Sequence, residues 1–113
     1  MIKSRLLTVA DHVQLLVNAL DADVDHRPVA KFFTPDAGAT WLISEADPDD
    51  PDRLFGLCDL GLGCPELGYV SLAEITALKG PLGLLVERDL HFVADKPLSA
   101  YADDARAKGR IIT

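Results

Sequence analysis

Cysteine is scarce in this chain: Cys58 and Cys64 are the only two, too few for a disulfide framework. Basic residues are outnumbered, eleven Lys and Arg against eighteen Asp and Glu, for a formal charge of −7. An acidic surface repels phosphate backbones, so nucleic-acid binding by counterion release is disfavoured. No apolar run is long enough to span a membrane. Lys3 and Arg5 precede a short apolar stretch, but Asp11 and His12 interrupt it and no small-residue cleavage site follows. The expectation is a cytoplasmic protein with reduced thiols and no membrane partner. What is present is a globular composition, 49% hydrophobic and 26% charged. Its 113 residues suit a single domain, residues 1–113.

Val9, Val13, Leu16, Val17 and Leu20 recur at helical spacing and predict an amphipathic N-terminal helix with this stripe against the core. Thr8 and Asp11 resemble a capping box at its start. Val29 to Phe33 and Thr40 to Ala46 are rich in β-branched and aromatic residues. They flank a turn with Pro35, Asp36 and Gly38, so they read as a hairpin. Leu54 to Asp59 and Glu66 to Val70 read as two further strands joined by a Gly-rich turn. Short connections favour an antiparallel meander. Ser71 to Glu74 fits a capping box, with Val70 and Ile75 placed for a hydrophobic staple; this helix is expected to run to about Lys79 and end at Gly80. Asp89 to Val93 reads as a fifth strand, and Ser99 to Lys108 as a last helix or a frayed tail ended by Gly109. The fold expected is α+β: an antiparallel sheet of four to five strands with helices packed on one face.

KFFTPD (Lys31 to Asp36), TW (Thr40, Trp41), EADPDD (Glu45 to Asp50), LFGL (Leu54 to Leu57), ELGYVSLAEI (Glu66 to Ile75) and GPLGLLVERDLHF (Gly80 to Phe92) occur in one order. Together they resemble the family catalogued as domain of unknown function 2958. The likeness spans about Val29 to Leu98, leaving the N-terminal segment and a basic C-terminal tail, residues 99–113, outside it. It implies small proteins often encoded on bacterial plasmids and other mobile elements. It implies no activity.

No intact catalytic or ligand motif accompanies these segments. Asp21, Asp23 and Asp25 have the spacing of a calcium loop, but His26 stands where Gly is needed and Phe32 where a bidentate Glu is needed. The cluster from Asp47 places Pro51 and Asp52 at the fifth and sixth positions and also fails. Five residues separate Cys58 from Cys64, outside the usual spacing of structural zinc sites, and His12, His26 and His91 are far apart. A Cys64–His91 dyad lacks an orienting residue. Gly61-Leu62-Gly63 begins like a dinucleotide fingerprint, but Glu66 replaces its third Gly. No catalytic residue, metal or cofactor is therefore expected.

One polar group is the candidate recognition patch: Glu45 and Asp47 at the end of the second strand, Glu87, Arg88 and Asp89 at the fifth, with Trp41 and Tyr69 as aromatic anchors. Arg88 is expected to pair with one of the strand-end carboxylates. The alternative is a charged sheet edge that discourages aggregation. The function expected is a non-catalytic protein-interaction module, of a mobile-element accessory or anti-defence type, whose carboxylates face a basic partner. Two other classes stay open. One is a small metal-dependent hydrolase using Glu45, Asp47, Glu87 or Asp89. The other is a weak nucleic-acid binder through Arg106, Lys108 and Arg110.

Overall fold

A computed structural model describes residues 4–113 of the chain; Lys3, noted above for its charge, lies outside the described residues. Five strands form one antiparallel sheet: β1 (Ala30–Phe33), β2 (Thr40–Ala46), β3 (Arg53–Asp59), β4 (Glu66–Ser71) and β5 (Glu87–Arg88). Their spatial order is β4-β3-β2-β1-β5. Three helices accompany them: α1 (Val9–Ala19), α2 (Leu72–Ala77) and α3 (Leu98–Lys108). The fold is α+β, as the alternation of short strands and helical segments predicts.

Local chemistry closes each turn of the meander. Between β1 and β2 the Thr34 amide donates to the Ala39 carbonyl at 3.0 Å, and the Ala39 amide donates to the Thr34 hydroxyl at 2.9 Å. Between β2 and β3 the side chains of Asp47 and Asp50 accept from the Asp49 and Asp52 amides, which coils the acidic segment into successive Asx turns. Asp52 then reaches forward. It accepts from the Ser71 hydroxyl at 2.6 Å and from the Ala73 amide at 2.8 Å. The Ser71 hydroxyl oxygen in turn accepts from the Glu74 amide at 3.2 Å. The start of α2 is thus capped by Ser71 and Asp52 together.

The helices divide between the two faces of the sheet, where the sequence expectation placed them all on one. Leu15 of α1 and Leu72 and Ile75 of α2 join Leu6, Leu7, Phe32, Trp41, Ile43, Leu54 and Val86 in one core. Leu98, Tyr101, Ala102 and Ala105 of α3 cover Leu42 and Leu57 on the opposite face. The reason lies in β2 and β3. Trp41, Leu42 and Ile43 are consecutive apolar residues, so both faces of these central strands need cover. The segment read as a possible frayed tail is therefore a packed helix. Gly109 ends it at φ 74°, a left-handed conformation that suits glycine. Arg106 and Lys108 occupy its last turn, where cations complement the helix dipole.

Two further expectations are corrected. α2 stops at Ala77 instead of Lys79, because Leu78 turns extended and its carbonyl accepts from the Val86 amide at 3.3 Å. The fifth strand is Glu87–Arg88 instead of Asp89–Val93. Asp89 accepts from the His91 amide at 2.9 Å and turns the chain out of the sheet.

Candidate functional site

α1 is turned away from its expected stripe: Leu16 still packs on the core, but Val9, Val13, Val17 and Leu20 do not. Its N-terminus is the capping box read from the sequence: the Asp11 amide donates to the Thr8 hydroxyl, and the Thr8 amide donates to the Asp11 carboxylate. Yet the residues it buries are His12, Leu15 and Asn18. Val9 is 67% exposed, Leu20 is 79% exposed, and Val13 and Val17 lie on the same outer side. The cause is the sheet beneath. A β-bulge falls between Ile43 and Glu45, where the ladder with β3 shifts register, and it takes Ser44 out of the pairing. The Asn18 side-chain amide donates to the Ser44 carbonyl at 2.9 Å. His12 Nε2 lies 3.1 Å from the Pro51 carbonyl. Buried backbone carbonyls need donors, and no valine supplies one. His12 and Asn18 therefore face inward beside Leu15, Leu16 of the expected stripe stays half-buried against the core, and Val9, Val13, Val17 and Leu20 face solvent.

The seven residues of the candidate patch do not converge. Trp41 is 3% exposed, a core residue opposite Phe32 and Cys58, and anchors nothing at the surface. Arg88 pairs with Asp11 of α1 and with the Leu6 carbonyl, not with Glu45 or Asp47. Burial alone would raise the Asp11 carboxyl, but hydrogen bonds from Arg88 and Thr8 outweigh it and hold it below the usual carboxylate range. Asp89 sits 3.5 Å from Lys31. The His91 amide, ahead of Lys31, holds its carboxyl below the ordinary value. Glu87, opposite Phe33, is exposed at that same outer strand. Tyr69, on the other outer strand, stands four strand spacings away, roughly 19 Å.

Glu45 and Tyr69 do come together, through a residue the sequence reading passed over. Glu45 is opposite Phe55 on β3, and Phe55 is opposite Tyr69 on β4. The three form a row across the face that α3 partly covers. Phe55 and Tyr69 meet edge to face at 5.1 Å, and the Arg53 guanidinium lies 4.0 Å from the Tyr69 ring centre. Period-two alternation from Leu54 would have placed Arg53 and Phe55 on that face. Asp47 adjoins the row, its amide donating to the Arg53 carbonyl at 2.9 Å. A recess of about 230 Å³ opens beside Glu45, lined in part by Asp23, Asp25, His26 and Phe55. Burial pushes the Glu45 carboxyl up, against the pull of His26.

Two motifs of the resemblance explain one another by contact. Asp36, of KFFTPD, accepts from the Leu82 amide at 2.7 Å and lies 3.4 Å from the Leu84 amide. A Cβ on Gly80, of GPLG, would stand 1.7 Å from Asp36 Oδ1. The carboxylate and the glycine fit together as a clasp between the first hairpin and the segment after α2. Cys58 is partly buried, which raises its thiol, and Cys64 is exposed in the turn before β4. Among the described residues, no group of three His, Cys, Asp or Glu side chains is placed to hold a metal ion. None of the described helices is long and apolar enough to cross a membrane.

Searches of curated proteins and of solved structures each return no match. A family model described as a protein of unknown function matches residues 6–112. That span takes in α1 and α3, both outside the motif-bearing stretch from Val29 to Leu98. The chain belongs to the DUF2958 family of proteins of unknown function.

Proposed function

We propose that this protein is a non-catalytic interaction module that docks a partner protein on the outer face of α1. The observation that carries the reading is the outward stripe of Val9, Val13, Val17 and Leu20. The helix turns His12 and Asn18 to the sheet and leaves a row of four apolar side chains at i, i+4, i+8 and i+11 in water, a surface of the kind that protein contacts use. The stripe runs towards Asp21 and Asp23, both exposed, at the negative end of the helix dipole. A partner with an apolar ridge flanked by basic residues fits this arrangement, and the net charge of −7 steers such a partner inward. The mobile-element setting implied by the family resemblance fits an accessory or anti-defence role for such a contact. Glu45 and Tyr69 belong to a second polar and aromatic surface, away from this helix.

The test is affinity capture with the wild type and with Val13→Asp/Val17→Asp, a variant altered only at exposed positions. The expected result is one partner retained by the wild type at low salt, weakened at high salt, and lost by the variant. Equal recovery by both proteins, or recovery by neither, refutes the proposal.

A further inference from the structure

The two ends of the sheet are finished differently. β5 has two residues, both charged, and the chain turns away after it. β4 has six residues, Glu66–Ser71, with no proline and no lysine. Such residues are the ordinary guards of an open edge. Hydrogen bonding shows which backbone groups β4 leaves free. The Leu72 amide donates to the Asp52 carbonyl at 2.9 Å, in register with the β3–β4 ladder. Antiparallel pairs alternate between bonded and non-bonded, so Val70 and Gly68 bond to β3. Leu67 and Tyr69 then point their N–H and C=O groups away from it, with no described strand beyond. Their side chains are exposed as well, Tyr69 by 59%.

We infer that β4 is the dimerisation edge of this protein and that its occupant is β4 of a second copy, in a continuous ten-stranded sheet. A two-fold axis at Gly68 gives the register. Leu67 lies opposite the partner subunit's Tyr69 and exchanges both backbone bonds with it. The symmetric pair repeats this, for four hydrogen bonds in all. Leu67 and Tyr69 side chains fall on the same face and cover one another, since both alternate with Gly68 and Val70. Gly68 meets the partner subunit's Gly68, with no side chain to obstruct the axis. Glu66 meets the partner subunit's Val70, so no like charges oppose one another. The strand is thus self-complementary in sequence and in hydrogen-bonding phase, as an isologous contact requires. The contact is a single strand pair, smaller than a standard interface, so the dimer is expected to be weak and concentration-dependent. The charge of −7 on each copy makes salt favour it. That dependence is opposite to the one expected for a basic partner at α1, and the two readings are independent.

The experiment is sedimentation of the full chain from roughly 1 to 300 µM, at low and high salt. Leu67→Lys/Tyr69→Lys serves as the edge variant and Val13→Asp/Val17→Asp as the control. The wild type and the control are expected to dimerise, more tightly at high salt, with the edge variant weakened by about tenfold or more. Hydrogen exchange on the wild type gives a readout that needs no variant: the Leu67 and Tyr69 amides slow as concentration rises. A wild type that stays monomeric overturns the inference. So does a dimer indifferent to the edge variant but lost in the control, an assembly larger than two, or amides of Leu67 and Tyr69 that exchange equally fast at every concentration.

Discussion

Replacing Asn18 by Ala separates the observed orientation of α1 from the one its hydrophobic pattern describes. The substitution removes the donor 2.9 Å from the Ser44 carbonyl and the acceptor 2.8 Å from the Gln14 amide. Ser44 is buried at the bulge, and its carbonyl has no ladder partner to fall back on. An unpaired buried carbonyl costs about 1–3 kcal/mol. The better helix propensity of Ala returns about 0.5 kcal/mol. The net loss is about 0.5–2.5 kcal/mol, a fall in melting temperature of roughly 2–10 °C for a chain of this size. Val17→Asp, one residue earlier, changes an exposed position and is expected within about 0.5 kcal/mol of the wild type. Were the valine stripe packed on the core, the order would reverse, because a buried unpaired carboxylate costs about 3 kcal/mol or more. Urea denaturation followed by fluorescence of Trp41, the single tryptophan, measures both variants. A larger loss for Val17→Asp than for Asn18→Ala refutes the reasoning.

Three other outcomes follow from contacts described above. Gly80→Ala drives a Cβ against Asp36 and is expected to destabilise by about 1–3 kcal/mol; in Asp36→Ala the same change costs less, which a double-mutant cycle detects as coupling. Gly56→Ala puts a Cβ 2.0 Å from the Leu42 carbonyl oxygen in the centre of the sheet, so soluble, cooperatively folding protein is expected to be lost, as circular dichroism would show. Asp11 has a depressed pKa, so its contribution is fully present above the unfolded carboxylate value and fades as pH falls through the lower folded one. Asp11→Asn is therefore expected to be less stable than wild type at pH 7 and to flatten the stability profile below about pH 4, read by urea midpoints across pH.

The strands were legible because their residues alternate or run apolar between turns. Thr40–Ala46 matches its predicted bounds, and the other three meander strands match within a residue. The capping box at Thr8 was readable whole because it is local; at Ser71 only the bond from the Glu74 amide was, since Asp52 and not the Glu74 carboxylate completes that cap. What the sequence hid depends on partners distant in the chain. The inward turn of α1 answers a carbonyl freed by a bulge at Ser44, and a bulge has no mark in hydrophobic periodicity. Arg88 found Asp11 because β5 closes beside β1, a pairing no short connection announces. The residues of the candidate patch stay apart because β1 separates β2 from β5 in the sheet they share, and Arg88 turns to Asp11 on the helix above. Trp41 went inward because its face of β2 is the one α1 covers.

Asp52 closes a turn and also caps a helix that begins twenty positions later. The acidic stretch between β2 and β3 is therefore a splint across the sheet's end, not a free loop. The Leu72 amide on the Asp52 carbonyl continues the β3–β4 register, so a residue inserted between Asp52 and Arg53 would carry the carboxylate off Ser71 and Ala73 and uncap the helix that bears Leu72 and Ile75. Variation among natural sequences should spare the spacing from Asp52 to Ser71 even where the residues ahead of Asp52 change in number.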